Sequence, residues 1–252
     1  DLKKCEDPLY DFTSDDGITH RVWIIAEKMF IEKIGKCFAD MNEIYIADGH
    51  HRCASAVRVA KMRREAHPDF TGKEEFNYFL SVLFPDDQLM IMDYNRVLKD
   101  LNGYSAEELM KELQKVATIE PCKDSLIKPA QKGEVTMYLQ DKWYLLRFHD
   151  FVKSEDPVKS LDVSILQEYV LEPVFGIHDP KTDARIDFVG GIRGLGELER
   201  RVHTDCKVAF AMYPTSIREL FAVADAGLLM PPKSTWFEPK LRSGLFLHEI
   251  ER

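Results

Sequence analysis

Residues 43–66 read EIYIADGHHRCASAVRVAKMRREA. The β-branched and aromatic run at 43–47 predicts a short strand, and the Ala- and Arg-rich stretch 53–66 predicts a helix. Between them stands Ala47-Asp48-Gly49-His50-His51-Arg52. A tight turn that opens a helix presents backbone N–H groups with no intrahelical acceptor, and a glycine lets an anion come close to them. Arg52 adds a planar fork suited to phosphate oxygens. His50 and His51 can donate hydrogen bonds or carry a proton. Asp48 could hold Mg²⁺ or orient a histidine. The alternative is a polar turn in which Asp48 caps the helix and the histidines are solvated. That reading accounts for Asp and Gly but not for His-His-Arg together. Adjacent histidines on a loop seldom face one metal and no third ligand is evident, so no zinc site is expected.

Upstream of this stretch, Asp16-Gly17 reads as a turn or hairpin, residues 21–26 (RVWIIA) as a strand and residues 27–41 as a helix with apolar helical spacing. Glu27 follows that first strand and could project toward the loop at 48–52, or be a solvated acid at the helix start. Downstream, residues 76–84 and 89–98 read as strands. Ser105 with Glu108 is a capping box opening a helix through about residue 117. A hairpin is expected from 135–139 and 143–148, then a helix at 160–174 in which Asp162 serves the first turn. A strand at 186–189, a helix at 195–203, a strand at 207–213 and a helix at 215–226 follow. Alternating elements with hairpins mixed in predict an α/β or α+β fold around one mixed sheet or two small ones.

Two further motifs carry polar groups. Residues 230–244 (MPPKSTWFEPKLRSG) hold three prolines and so favour an extended segment. Lys233, Lys240 and Arg242 could line an anion site from it, or the segment could be a packed arm with Trp236 and Phe237 buried. Gly190-Gly191-Ile192-Arg193-Gly194-Leu195-Gly196 lacks the dinucleotide GxGxxG order, and reads as a second anion-binding turn or as flexible backbone.

The composition, with 45% hydrophobic and 31% charged residues over 252, is that of a globular protein with a sizeable core. A net charge of −9 argues against sequence-independent binding to nucleic acid or anionic membrane. No apolar run approaches the roughly 18 residues of a membrane span. The five cysteines are scattered, with no CxxC pair, which points to reduced thiols in the cytoplasm.

IYIADGHHR with its Ala-rich helix, MPPKSTWFEPKLRSGL near the end and PLYDFTSDDGITHRVWII near the start together resemble the family called domain of unknown function 1015. Members of that family carry a further amino-terminal region, so this chain is expected to be the carboxy-terminal portion of a longer protein. The resemblance implies a ParB/sulfiredoxin-like mixed sheet with helices at residues 1–100, holding the DGHHR loop, and an additional α+β region at 101–252. It also implies a nucleotide site, with ATP or ADP and Mg²⁺. Gly49, His50, His51 and Arg52 would hold phosphate, with Lys233, Lys240 and Arg242 in second rank, and Asp48, Glu27 and His51 would be the catalytic candidates. Sulfiredoxin needs a cysteine inside this loop, where the present chain has His50. ParB proteins are accompanied by a helix-turn-helix part, which is not evident here. The free serine kinases use DGHHR itself. The expectation is therefore a nucleotide-dependent phosphotransferase acting on a small hydroxyl substrate, with serine the implied candidate. A nucleotide-binding regulatory module without chemistry is the alternative, and a DNA-associated ParB-like protein the weaker one.

Overall fold

The structure, a computed structural model, describes residues 7–123 and 127–251. The chain divides into two compact units, Asp1–Ile46 and Ala47–Arg252. In the first, strands β1 (Tyr10–Thr13) and β2 (Thr19–Val22) form an antiparallel hairpin. The Asp16-Gly17 turn joins them as the sequence predicts. Gly17 takes a positive φ of 80°, and the Asp16 carboxylate accepts from the Ile18 N–H at 3.1 Å. Helix α1 (Lys28–Ala39) follows.

The second unit opens with α2 (His50–Ala66). A two-stranded ribbon pairs β3 (Met90–Met92) with β10 (Trp236–Glu238). The main sheet has six strands: β4 (Tyr94–Leu98), β5 (Ala117–Pro121), β6 (Glu134–Leu139), β7 (Lys142–Phe148), β8 (Ile186–Gly190) and β9 (Val208–Met212). Their order is β5-β7-β6-β9-β4-β8, and every pair is antiparallel. Strand β4 precedes residue 100, yet it sits inside a sheet whose other strands all follow that point.

Period-two alternation gives this sheet two apolar faces. Val208, Phe210 and Met212 of β9 point to the larger core, where they meet α3 (Ala106–Gln114), α4 (Asp162–Leu166) and α6 (Ile217–Asp225). Ala209 and Ala211 point the other way, toward Leu195 and Leu198 of α5 (Leu195–Thr204). The capping box at Ser105 and Glu108 forms, and an equivalent one at Ser216 and Glu219 opens α6.

Four elements differ from the sequence expectation, the first being the run at 21–26, which is a strand only to Val22 and leaves Ile24 and Ile25 exposed. Residues 43–47 and 76–84 are not strands, although their apolar runs suggest it. Among the described residues no ladder partner pairs with them, and Ile44, Ile46, Phe79, Leu80, Val82 and Leu83 remain exposed. Apolar patterning supplies a strand's side chains but not its neighbour. The helix expected at 160–174 is α only through Leu166 and then widens into a π-helical turn, Gln167–Leu171. No helix among the described residues is long and apolar enough to cross a membrane.

Candidate functional site

The Asp48–Arg52 loop is built around one glycine. Gly49 is the N-cap of α2 with φ 82° and ψ 27°, a left-handed conformation that a side chain disfavours. It is also short of space: a Cβ there would lie 2.9 Å from Arg52 Nη2 and 3.0 Å from Nε. The Arg52 guanidinium is thus folded back over the turn, beside a glycine whose left-handed φ a side chain would strain. Asp48 does not cap the helix; its Oδ1 accepts from the Gly49 N–H at 2.9 Å. The first-turn N–H groups of α2 therefore receive no side-chain cap, and no acid occupies that turn. His50 and His51 are exposed on the opening turn. A positively ended helix start with a guanidinium above it can take an anion.

Asp48 ties this loop to the proline-rich segment far along the chain. Lys240 Nζ donates to Asp48 Oδ2 at 3.3 Å. Partial burial pushes the Asp48 carboxyl up, but the Gly49 N–H, Lys240 and Arg52 outweigh that and hold it below the usual carboxylate range. The same ammonium lies 5.2 Å from the Trp236 ring centroid. Trp236 in turn stands edge-on to Tyr94 at 5.4 Å, and Lys233 Nζ lies 5.6 Å from the Tyr94 ring. Of the second-rank residues, Lys240 therefore joins the loop and Lys233 is drawn onto Tyr94. Arg242 lies in the exposed stretch that follows. Glu27 belongs to the other compact unit, where it precedes α1 and makes no cap hydrogen bond. Among the described residues no cluster of three or more His, Cys, Asp or Glu could hold a metal ion.

The Gly190-Gly191 pair is a packing device. A Cβ on Gly190 would fall 2.5 Å from the Trp236 ring, and one on Gly191 2.3 Å from Asp93 Oδ1. The pair lets the proline-rich segment and β4 lie flat against the end of β8. Sequence reasoning missed two residues that this packing brings forward, Asp93 and Arg96. Asp93 is buried, accepts from Asn95 Nδ2 at 2.6 Å and pairs with Lys128 at 3.3 Å. The signal that could have found Arg96 is a charged residue inside a stretch that reads as a strand, Tyr94–Leu98 (YNRVL).

The sequence model for the family described as protein of unknown function (DUF1015) matches residues 1–164. The chain belongs to that family. The matched span of this DUF1015 chain includes the Asp48–Arg52 loop and stops short of residues 230–244. No protein of curated function matches the sequence. Among solved structures it is similar to a free serine kinase in complex with AMP, at 13% identity and TM-score 0.41, covering 83% of this chain and 78% of that one. A variant of free serine kinase in complex with ADP matches at 14% identity and TM-score 0.39, with the same coverage. A conserved hypothetical protein from Pyrococcus furiosus matches at 14% identity and TM-score 0.39, covering 83% and 81%.

Proposed function

We propose that this protein is a nucleotide-dependent phosphotransferase acting on a small hydroxyl-bearing substrate, and that it binds phosphate at the Asp48–Arg52 loop. The observation that carries the reading is the Arg52 guanidinium folded over a left-handed Gly49 at an uncapped helix start. Phosphoryl transfer asks a protein mainly for positioning and for charge stabilisation. Backbone N–H groups at 50–52 and the Arg52 fork would supply both, with His50 and His51 hydrogen-bonding to phosphate. Asp48, held ionised by its neighbours, is a poor base and a good ligand for Mg²⁺. The base would then be His51. ATP or ADP is the nucleotide suggested by the DGHHR resemblance, and serine the acceptor. The scattered cysteines, with no CxxC pair, favour the cytoplasm.

The first test is thermal unfolding with ADP, ATP and Mg²⁺ for wild type and Arg52→Ala. A nucleotide at about 100 times its Kd should raise Tm by several degrees, and the substitution should remove that rise without changing the unliganded Tm. An undiminished shift in Arg52→Ala would refute the loop assignment.

One observation favours a second reading, a regulatory module without chemistry. The Asp48–Lys240 pair links the loop to the proline-rich segment, so a bound nucleotide that drew Lys240 away would free the part of that segment beyond β10. Tight binding that depends on Arg52, with no phosphate transferred to serine or other small alcohols, would select this reading.

A further inference from the structure

A cavity of about 520 Å³ opens beside the main sheet, and its lining includes none of the loop residues 48–52. Val163, Leu171, Phe188 and Pro231 give it apolar walls. Two polar groups in that lining lack the partners such groups normally have.

The first is Arg96. Only 3% of it is exposed, and among the described residues no carboxylate pairs with it. Its guanidinium donates to two backbone carbonyls, Tyr94 O and, at 3.1 Å, Lys233 O, and lies 5.5 Å from the Phe188 ring centroid. A guanidinium has five N–H donors, so others remain. Burial pushes its pKa down to about 10, which leaves it charged at neutral pH. A buried charge without a counter-charge is costly, and buried arginine normally faces an oxyanion. The second group is Ser164, whose buried Oγ has no hydrogen-bond partner. Native proteins rarely leave such an atom unused.

Neighbouring groups in the lining are already committed. Gln167 Nε2 donates to Ile177 O at 2.7 Å, and Glu172 pairs with His178 at 3.1 Å. The π-helical turn Gln167–Leu171 brings Gln167, Glu168 and Leu171 to the wall, and such turns often occur at ligand sites. Charge narrows the ligand. Glu168 and Glu172 share the lining without pairing with Arg96, so a dianion meets more repulsion there than a single negative charge does.

We propose that this cavity binds a small monocarboxylate with an apolar body, its carboxylate taken by Arg96 and Ser164 and its body by Phe188, Leu171 and the proline pair. The assignment stands apart from the nucleotide reading and uses none of its residues.

The test is thermal unfolding and calorimetry on the whole chain. The probes are 4-methylpentanoate, phenylacetate and leucine, against 4-methylpentanol as neutral isostere and inorganic phosphate as dianion. Arg96 is left intact because its bonds to Tyr94 and Lys233 also hold the fold. Ser164→Ala removes a hydroxyl with no partner and should fold normally. Val158→Phe fills the half-buried rim. At least one carboxylate should bind, raising Tm by roughly 5 °C near saturation. Ser164→Ala should weaken it about tenfold, and Val158→Phe should abolish it. Binding of leucine more tightly than 4-methylpentanoate would add Glu168 as its ammonium partner and support the site. The proposal falls if no carboxylate binds, if the alcohol binds equally, if phosphate alone binds, or if Val158→Phe leaves binding unchanged.

Discussion

Asp162 lies in the first turn of α4, where an acid suits the helix dipole, but its environment is set from elsewhere. The Gly133 N–H donates to both of its carboxylate oxygens at 3.0 Å, and burial raises its pKa to about 6. An acid whose folded pKa exceeds its unfolded value costs stability when ionised. That cost is absent below about pH 4, and it is complete once pH has risen through 6, at up to about 3 kcal/mol. Asp162→Asn keeps an acceptor for Gly133 and drops the charge. The variant should therefore gain on wild type as pH rises from 4 to 7, measured by urea unfolding at each pH; parallel curves would refute the assignment. The sequence showed the helix start and the acid, but not the burial, because the loop that closes over Asp162 comes from 29 residues earlier. Gly49 is the converse case. Its role was legible because the turn, the helix and Arg52 are all local, whereas the bond from Lys240 to the neighbouring Asp48 spans 192 positions and was not.

Among the elements, the hairpin and the amphipathic helices were legible, since β6–β7, α3 and α5 are specified by residues within a few positions of one another. The runs at 43–47 and 76–84 misled because a ladder partner is not a local property. The glycine pair at the end of β8 also escaped, since its reason is Trp236 arriving from the far end of the chain. Adding a methyl there should force the indole to move. Gly190→Ala is expected to destabilise by about 1–3 kcal/mol through overpacking, with a change in tryptophan emission. Gly196, in the first turn of α5, meets nothing within 4 Å of an added Cβ. Gly196→Ala should instead stabilise by roughly 0.5–1 kcal/mol through helix propensity. A Gly190→Ala protein as stable as wild type would show that Trp236 does not rest on that glycine.

Across the whole molecule, burial is concentrated in one part. Among the described residues none from 7 to 92 is buried, and Asp93 is the first that is. The two core clusters draw entirely on residues from 97 onward. Amide hydrogen exchange should therefore be slowest in β6, β9 and β4, and much faster in α1 and α2, which have no buried face to hold them closed. Equal protection of α1 and β9 would contradict this. Core side chains in the sheet should carry the larger energies: Leu146→Ala, fully buried in β7, is expected to cost about 2–5 kcal/mol by denaturant titration.

Strand β4 pairs with β8 on one side and β9 on the other, and both come far later in the chain. On the ribosome the hairpin β6–β7 can close as soon as it emerges, but β4 must wait for partners that begin at residues 186 and 208. At about 5–20 residues per second, the delay from β4 to β9 is roughly 5–20 s. Val97 and Leu98 have no strand partner until β8 emerges, and β9 is the last segment needed to join the two halves of the sheet. Newly made chains that stall before residue 208 would thus expose an open sheet edge, which is the form that chaperones and proteases recognise.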